Sequence, residues 1–483
     1  MSSLNRRDFI KDSAVLAALA AAGGFGKAIA GDKSEKDAKS TDAGSQLRVA
    51  VIGVHGRGKD HVHGFAGKNN CVVTTICDAD SAVIGDAMKA AEKAQGTMPQ
   101  YEQDIRKVVE DKNIDVISIA TPNHWHSLAA IWGLQNGKNV YVEKPVSHNV
   151  SEGRRVVEVA RKTKLLCQAG TQSRSSTGLI EAMQFLRDGK LGKITVARGL
   201  CYKPRGSIGK VSGPQEPPKT VDYNLWTGPA PLEPVMRKQF HYDWHWFWDY
   251  GCGDLGNQGI HEMDKSRWAL GKSELAQSVF SLGGRFGYTD DGQTANTQIC
   301  VFDYGDAELI FEVRGLKTDA LRNAKVGNII YGSEGYLVIP DYSDAIAFTN
   351  SGELIKKFGG GGDHFANFVA AVRSGKPELL HADIEEGHIS SALCHLGNIS
   401  YRLGTERPFD KVPEALTYQW ADETFERMEK HLVDNQVSLT ETPCRVGRRL
   451  KLDPQTETFI GDKEADAMLT REYRKGFEVP AKA

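Results

Sequence analysis

A short apolar run, Leu47-Arg48-Val49-Ala50-Val51-Ile52, leads without a spacer into Gly53-Val54-His55-Gly56-Arg57-Gly58, and few folds accommodate that junction. A β-branched strand, a glycine turn and a helix start together bring backbone N–H groups and a helix N-terminus to bear on a ligand's phosphates. The first glycine permits the tight turn, and the later ones let a pyrophosphate approach the backbone. The pattern departs from G-x-G-x-x-G, because His55 stands at the second glycine position and Gly56 is displaced by one. Context strengthens a signal that is weak alone. Cys71–Cys77 reads as the next strand and ends in Asp78, where a carboxylate can accept hydrogen bonds from adenosine ribose hydroxyls. That carboxylate would repel a 2′-phosphate, so NAD is favoured over NADP. An ordinary strand-end Asp capping the next helix is the simpler alternative.

Two further units follow. Strand Val116–Ala120 runs into Thr121-Pro122-Asn123-His124-Trp125-His126, and strand Asn139–Val142 into Glu143-Lys144-Pro145. Helical stretches at 81–95, 103–111, 127–136 and 151–163 alternate with these strands, which predicts a doubly wound parallel sheet. Ligands bind at the carboxyl ends of such strands, where Thr121, Pro122, Asn123, His124, His126, Glu143 and Lys144 fall. The second half differs. Ile194–Cys201, Ala276–Gly283, Ala295–Phe302, Ala307–Val313, Val326–Tyr331 and Gly335–Ile339 are short, β-rich and separated by turn residues rather than long helices. Antiparallel pairing is the natural reading, with helices near 363–374 and 385–403 returning to the body. The stretch 411–483, including Arg445–Lys451, carries no pattern that assigns it a role.

The N-terminus reads as an address. Asn5-Arg6-Arg7-Asp8-Phe9-Ile10-Lys11, an alanine-rich apolar stretch and Ala28-Ile29-Ala30 form the layout of a twin-arginine export signal. Residues 1–30 are therefore expected to be a signal peptide that engages the twin-arginine machinery. Residues 31–46 would be a linker, 47–170 the NAD-binding domain, 171–410 a substrate and oligomerisation domain, and 411–483 an extension. That exporter passes folded proteins, which suits a cofactor inserted before export and a periplasmic or otherwise exported location. The near balance of 60 basic and 62 acidic side chains argues against a nucleic-acid binder. No long charge-free apolar run suggests a membrane anchor. Eight cysteines without CxxC spacing exclude a zinc ribbon and suggest no disulfide framework.

Taken jointly, these features resemble the Gfo/Idh/MocA family of sugar oxidoreductases. The resemblance rests on the glycine turn at 53–58, Asp78, Ala120–His126, Glu143-Lys144-Pro145, the stretch Gly251–Asp264 and the Gly332–Leu337 turn, and spans about 48–405. It implies an N-terminal Rossmann domain and a C-terminal α/β domain on a large, mostly antiparallel open sheet. Open sheets of this sort often pair face to face, so a homo-oligomer is expected.

The resemblance places the family's Glu-Lys-Pro lysine at Lys144 and the histidine of its Asp-x-x-x-His motif at His261, with Asn257 where the family has Asp. Oxidising a secondary alcohol needs a base for the hydroxyl proton. Burial and a nearby cationic nicotinamide should lower the Lys144 pKa enough for Lys144 to polarise or deprotonate the reacting oxygen. His261 could relay the proton, since imidazole titrates near neutrality. Asn257 can orient that ring but adds no charge, so either Asp254 takes over or the histidine is less basic. The plainer alternatives are a Lys144–Glu143 surface salt bridge and a structural His261. His124 and His126 are expected to wall the nicotinamide pocket, with His124 favoured. A metal site from His124, His126 and His261 is not expected. The aromatic, acidic run Tyr242–Tyr250 suits a sugar, although a core or subunit contact is an equal alternative for many of its rings. Lys203, Arg205, Trp244, Trp246, Asp363 and His364 are further substrate candidates, and Gly359–Gly362 reads as a flexible hinge or a close-approach loop. The expected function is an exported NAD-dependent oxidoreductase acting on a carbohydrate or polyol. A glycosidase or epimerase working through a transient keto sugar, and a non-catalytic carbohydrate-binding protein, are the alternatives.

Overall fold

The computed structural model describes residues 45–409, 413 and 420–483. The expected signal peptide and nearly all of the expected linker lie outside the described residues. Strands β1 (Leu47–Ile52), β2 (Cys71–Cys77), β3 (Gln100–Glu102), β4 (Val116–Ile119), β5 (Asn139–Val142) and β6 (Cys167–Ala169) form a parallel sheet in the order β3-β2-β1-β4-β5-β6. The strands are almost wholly buried because helices cover both faces, which is why they read as apolar runs instead of alternating ones. Their register fixes the site. Ile52 faces both Cys77 and Ile119, Ile119 faces Val142, and Val142 faces Ala169. The next residues, Gly53, Asp78, Ala120, Glu143 and Gly170, therefore emerge in a row along one rim. The strand order reverses between β1 and β4, which is where ligands bind in open α/β sheets.

The helix expected at 127–136 begins at Asn123, so Asn123, His124 and His126 sit in a first helical turn rather than in a loop. Pro122 causes this: its fixed φ suits a helix start, and it holds Thr121 out of the helical region. β3 and β6, at three residues each, are too short to carry a periodic signal and were not anticipated.

The second sheet holds β7 (Ile194–Cys201), β8 (Ser278–Gly284), β9 (Thr297–Asp303), β10 (Glu308–Arg314), β11 (Val326–Gly332), β12 (Gly335–Ile339), β13 (Ala345–Thr349), β14 (Leu354–Phe358), β15 (Thr405–Arg407), β16 (Cys444–Val446), β17 (Leu450–Asp453) and β18 (Thr458–Phe459). Pairing is antiparallel except between β7 and β10. On one face, Phe302, Leu309, Phe311 and Val313 pack against Ile389, Leu393 and Leu396 of helix Ile384–Arg402 and against Ile260 and Met263 of helix Ile260–Leu270. On the opposite face, Phe280, Leu282, Ile299, Val301 and Ile310 of β8, β9 and β10 are covered by Phe425, Met428 and Leu432 of helix Ala421–Asp434. Each of those three side chains contributes roughly 1.5–3 kcal/mol of burial, so the helix has a strong reason to stay.

The tail left without a role thus does two things. It covers the sheet, and it crosses to the first domain, where Phe477 joins the core built around Trp125, Leu128 and Ile131. Among the described residues no helix is long and apolar enough to cross a membrane.

Candidate active site

A cavity of about 310 Å³ opens on the rim of the parallel sheet. Its first wall is the glycine turn, with Gly53, His55, Gly56 and Arg57. Its second is the strand ends, with Asp78, Thr121, Pro122, Asn123, His126, Glu143 and Lys144. Its third comes from the segment between β7 and helix Ile260–Leu270, through Leu225, Trp226, His241, Tyr242, Trp244, His245 and Asn257.

Each part of the turn has a physical cause. Gly53 has φ +83, and a Cβ there would stand 2.7 Å from the Ala120 carbonyl oxygen, so no other residue fits. A Cβ on Gly58 would meet the Gly53 oxygen at 1.8 Å, because the helix packs directly on the turn. Gly56 differs: a Cβ there meets nothing within 4 Å, leaving open space over the backbone at the helix start. Asp78 accepts from Val54 N at 2.8 Å and from Asp80 N at 3.0 Å, which aims the carboxylate while leaving lone pairs on both oxygens. Burial raises its pKa, and those two N–H groups oppose the rise. Thr121 Oγ1 and Asn123 Oδ1 line the cavity, are buried, and have no partner within the protein. A cradle open to a phosphate, a fixed carboxylate and polar wall atoms without partners fit a dinucleotide such as NAD.

At the other end of the rim, Lys144 Nζ donates to the backbone oxygen of Asn257 at 2.8 Å. Asn257 lies in a single π-helical turn, Leu255–Gly259, of the kind that recurs at functional sites and frees backbone groups from the α-helical ladder. Lys144 does not pair with Glu143. Glu143 is buried and accepts from Arg57 Nε at 2.9 Å, with His61 Nε2 at 3.2 Å. Burial pushes the Glu143 carboxyl up, but His61, Arg57 and Lys144 outweigh that and hold it well below its ordinary range. Lys144 itself is lowered, first by burial, with Glu143 opposing and Arg57 adding like charge.

His261 lies behind this wall rather than on the cavity surface. It is buried, its ring meets Tyr342 edge-on at 5.1 Å, and its Nδ1 has no partner. Burial and the nearby Lys144 drive its pKa well below the usual imidazole value. Asp254 does not support it: both Asp254 oxygens are taken by Arg205, at 3.0 and 2.6 Å. The histidine is therefore without a carboxylate on either count.

Several expected positions fall elsewhere. His126 lines the cavity and His124 does not, the reverse of the expected preference. Asn123 and His126 share one helical face, whereas His124 turns away to donate from Nε2 to the Trp226 carbonyl at 3.0 Å. Burial takes the His124 pKa to about 3. His126 has both ring nitrogens on carbonyls, Pro145 at 2.6 Å and Thr121 at 2.8 Å, and a neutral ring can donate to only one. Trp244 lines the cavity, but Trp246 lies beneath the Arg205 guanidinium beside a neighbouring hollow. Lys203 is exposed and off the wall. His364 packs against Tyr141, whose hydroxyl is 2.8 Å from its Nδ1, and Asp363 caps its helix, so neither reaches the cavity. Leu225, Trp226, His241 and the adenosine-side residues Gln103, Asp104 and Ile105 were not anticipated. Only the aromatic density of 242–250 pointed toward that third wall.

Two family models match this chain: an oxidoreductase family with an NAD-binding Rossmann fold over residues 47–171, and the oxidoreductase family's C-terminal α/β domain over 190–431. Among curated proteins, the chain is 28% identical over 206 residues to a glycosyl hydrolase family 109 protein of Shewanella pealeana, covering 40% of this chain and 44% of that one. It is 30% identical over 157 residues to scyllo-inositol 2-dehydrogenase (NAD(+)) of Bacillus subtilis, covering 32% of this chain and 44% of that one. The chain thus matches less than half the length of either relative. Among solved structures, the WlbA dehydrogenase from Bordetella pertussis, in complex with NADH and UDP-GlcNAcA, aligns with a TM-score of 0.54 at 20% identity, over 74% of this chain and 97% of that one. At that identity the likeness is one of fold.

Proposed function

The chain belongs to the Gfo/Idh/MocA family of NAD-binding oxidoreductases, and from that premise we propose that it acts on a carbohydrate or polyol by hydride transfer, with NAD held in the rim cavity. The observation that carries this reading is Lys144. Its amine stands half-buried on the cavity wall, tethered to Asn257 O instead of paired with Glu143, on the same rim as the glycine turn and Asp78.

When bound, the cofactor supplies the hydride acceptor at its nicotinamide ring. Gly53, Gly56 and the helix start would hold its pyrophosphate, and Asp78 would take its ribose hydroxyls. Lys144, as the neutral amine that a lowered pKa favours, accepts the hydroxyl proton of the reacting carbon as the hydride leaves. Arg57 and His61 fix Glu143 beneath it, so that the lysine keeps its position as its charge changes. His261 lies close enough to Lys144 to feel its charge, and burial keeps its ring neutral, so it adds no second cation behind the lysine. Trp244 and His245 close the substrate side and exclude water.

The Arg6-Arg7 signal supports export of the folded, NAD-loaded protein, and an exported enzyme has no obvious supply of free nucleotide. A redox-neutral reaction is the second reading: hydride returns to the sugar after epimerisation or elimination. The third wall of the cavity, laid over the rim by the second domain, favours it. The test is to purify the protein gently from an exporting host, denature it and mass-analyse the released nucleotide. Stoichiometric NAD or NADH is expected, and Lys144→Ala should keep it while turnover falls about 10²–10⁴-fold. Protein that carries no nucleotide and binds added NAD only weakly overturns the proposal. A carbohydrate-binding protein would have no turnover for Lys144→Ala to remove.

A further inference from the structure

His55 occupies a position where the dinucleotide turn calls for glycine, and it makes a contact that glycine could not. Its imidazole stacks on that of His241, with ring centroids 4.3 Å apart and planes at 18°. His241 comes from the other domain. It reaches the rim on a segment already tied to the end of β2, where Asp222 N donates to Ala79 O at 2.9 Å and Ser81 N donates to Thr220 O at 3.1 Å. The far nitrogen of His241, Nε2, lies 2.7 Å from Asp80 Oδ2. Asp80 is buried and follows Asp78 closely enough to donate its own N–H to the Asp78 carboxylate.

The base under His241 is rigid. Phe240 meets its ring edge-on at 5.1 Å, and Trp244 Nε1 donates to its carbonyl at 2.8 Å. Arg237 lies over Trp226, Phe240 and Tyr250 and donates to Phe240 O at 3.0 Å. Both imidazoles line the cavity beside Gly56 and Asp78, the phosphate and ribose positions of the dinucleotide.

We propose that His241 is a cofactor-retaining residue: with His55 and Asp80 it forms a clasp across the dinucleotide site, joining the glycine turn to the second domain over the bound NAD. The inference rests on the NAD reading above and adds a specific consequence. NAD leaves by parting the stack and the His241–Asp80 contact, so release is slow compared with a rim open on that side. Burial is the leading influence on both rings and lowers both pKa values, which favours the neutral forms that can stack without repulsion.

The test is a release experiment on NAD-loaded full-length protein, moved into nucleotide-free buffer, with retained NAD measured by mass analysis over time. His55→Ala, which removes the stack, should accelerate release up to about tenfold, and His241→Ala, which removes both the stack and the Asp80 contact, should accelerate it more. The double variant should release no faster than His241→Ala, because that substitution already removes the stack that His55→Ala removes. His241→Phe, which keeps the stack and loses Asp80, should fall between. Circular dichroism on each variant checks that the fold persists. Parent protein that retains NAD while both single variants release it at the parental rate overturns the clasp and leaves the NAD reading standing. Effects that simply add in the double variant also overturn it, since independent losses are not a shared clasp. Parent protein that binds no NAD overturns both.

Discussion

Lys144, half-buried on the cavity wall, and Glu312, fully buried, are both charges that burial disfavours, and their neighbours treat them in opposite ways. Around Lys144, burial is the largest influence and lowers the pKa. Glu143 pulls the other way, Arg57 and Lys203 add like charge, and Glu262 opposes them. The neutral amine is therefore reached at lower pH than for an ordinary lysine. Oxidation measured as kcat/KM is expected to rise with pH through a Lys144 pKa lower than that of an ordinary lysine and then to level off. Lys144→Arg, which stays protonated, should abolish the rise, and a limb that persists in that variant would remove Lys144 from the base role. Glu312 is fully buried but meets Arg427 NH2 at 2.7 Å, Arg314 NH2 at 2.9 Å, the Tyr202 hydroxyl at 3.0 Å and Arg198. Burial pushes its pKa up, and the three guanidiniums overcome that and hold it far below 4.5. A depressed carboxyl contributes stability that is complete above the unfolded value and lost as pH falls through the folded one. Glu312→Gln should cost about 3–5 kcal/mol at neutral pH, because it leaves buried guanidiniums without their counter-charge. Urea denaturation reads this directly, and a parental midpoint would mean the cluster is solvated.

At the scale of elements, the C-terminal segment connects parts that the sequence leaves apart. Phe477 meets Trp125 edge-on at 5.7 Å, Tyr473 donates its hydroxyl to Glu152 at 3.1 Å, and Lys162 donates to Ala483 O at 2.8 Å. Trp125 in turn donates from Nε1 to the Leu225 and Trp226 carbonyls at 3.0 Å, so the tail braces the helix that holds the third cavity wall. Phe477→Ala is expected to destabilise the protein by about 3 kcal/mol. It should also weaken NAD binding, because Trp125, Leu225 and Trp226 all face the cavity. Denaturation alongside an NAD titration separates the two effects: lowered stability with unchanged affinity would confine the tail to the fold. The helix over Asn123–Gln135 carries a similar lesson. One turn of helix in place of a loop decides that His126 faces the cavity and His124 does not.

Across the whole molecule, the site is assembled from three separate stretches, and they were not equally legible. β1, β2, β5, β7 and β12 fall at the bounds read from the sequence; for β1, β2 and β5 the apolar runs stop at Gly53, Asp78 and Glu143, which leaves little choice of where they end. The row Gly53, Asp78, Thr121, Glu143 and Lys144 was legible for the same reason: local pattern sets the strands, and parallel pairing aligns their ends. The eight cysteines are all buried and free. The stack of His55 on His241, the choice of His126 over His124, and the pairing of Asp254 with Arg205 were not legible, since each depends on a partner far away in the chain. The covering of the second sheet by helix Ala421–Asp434 belongs with these, because an amphipathic helix does not carry the address of the face it will bury. The sequence alone determined the parallel sheet, its ligand-binding rim and the chemical character of that rim, because these follow from local periodicity and from residues at strand ends. Only the tertiary structure decided which side chains look into the cavity and what closes it, because those outcomes depend on rotations about helix axes and on contacts between distant segments.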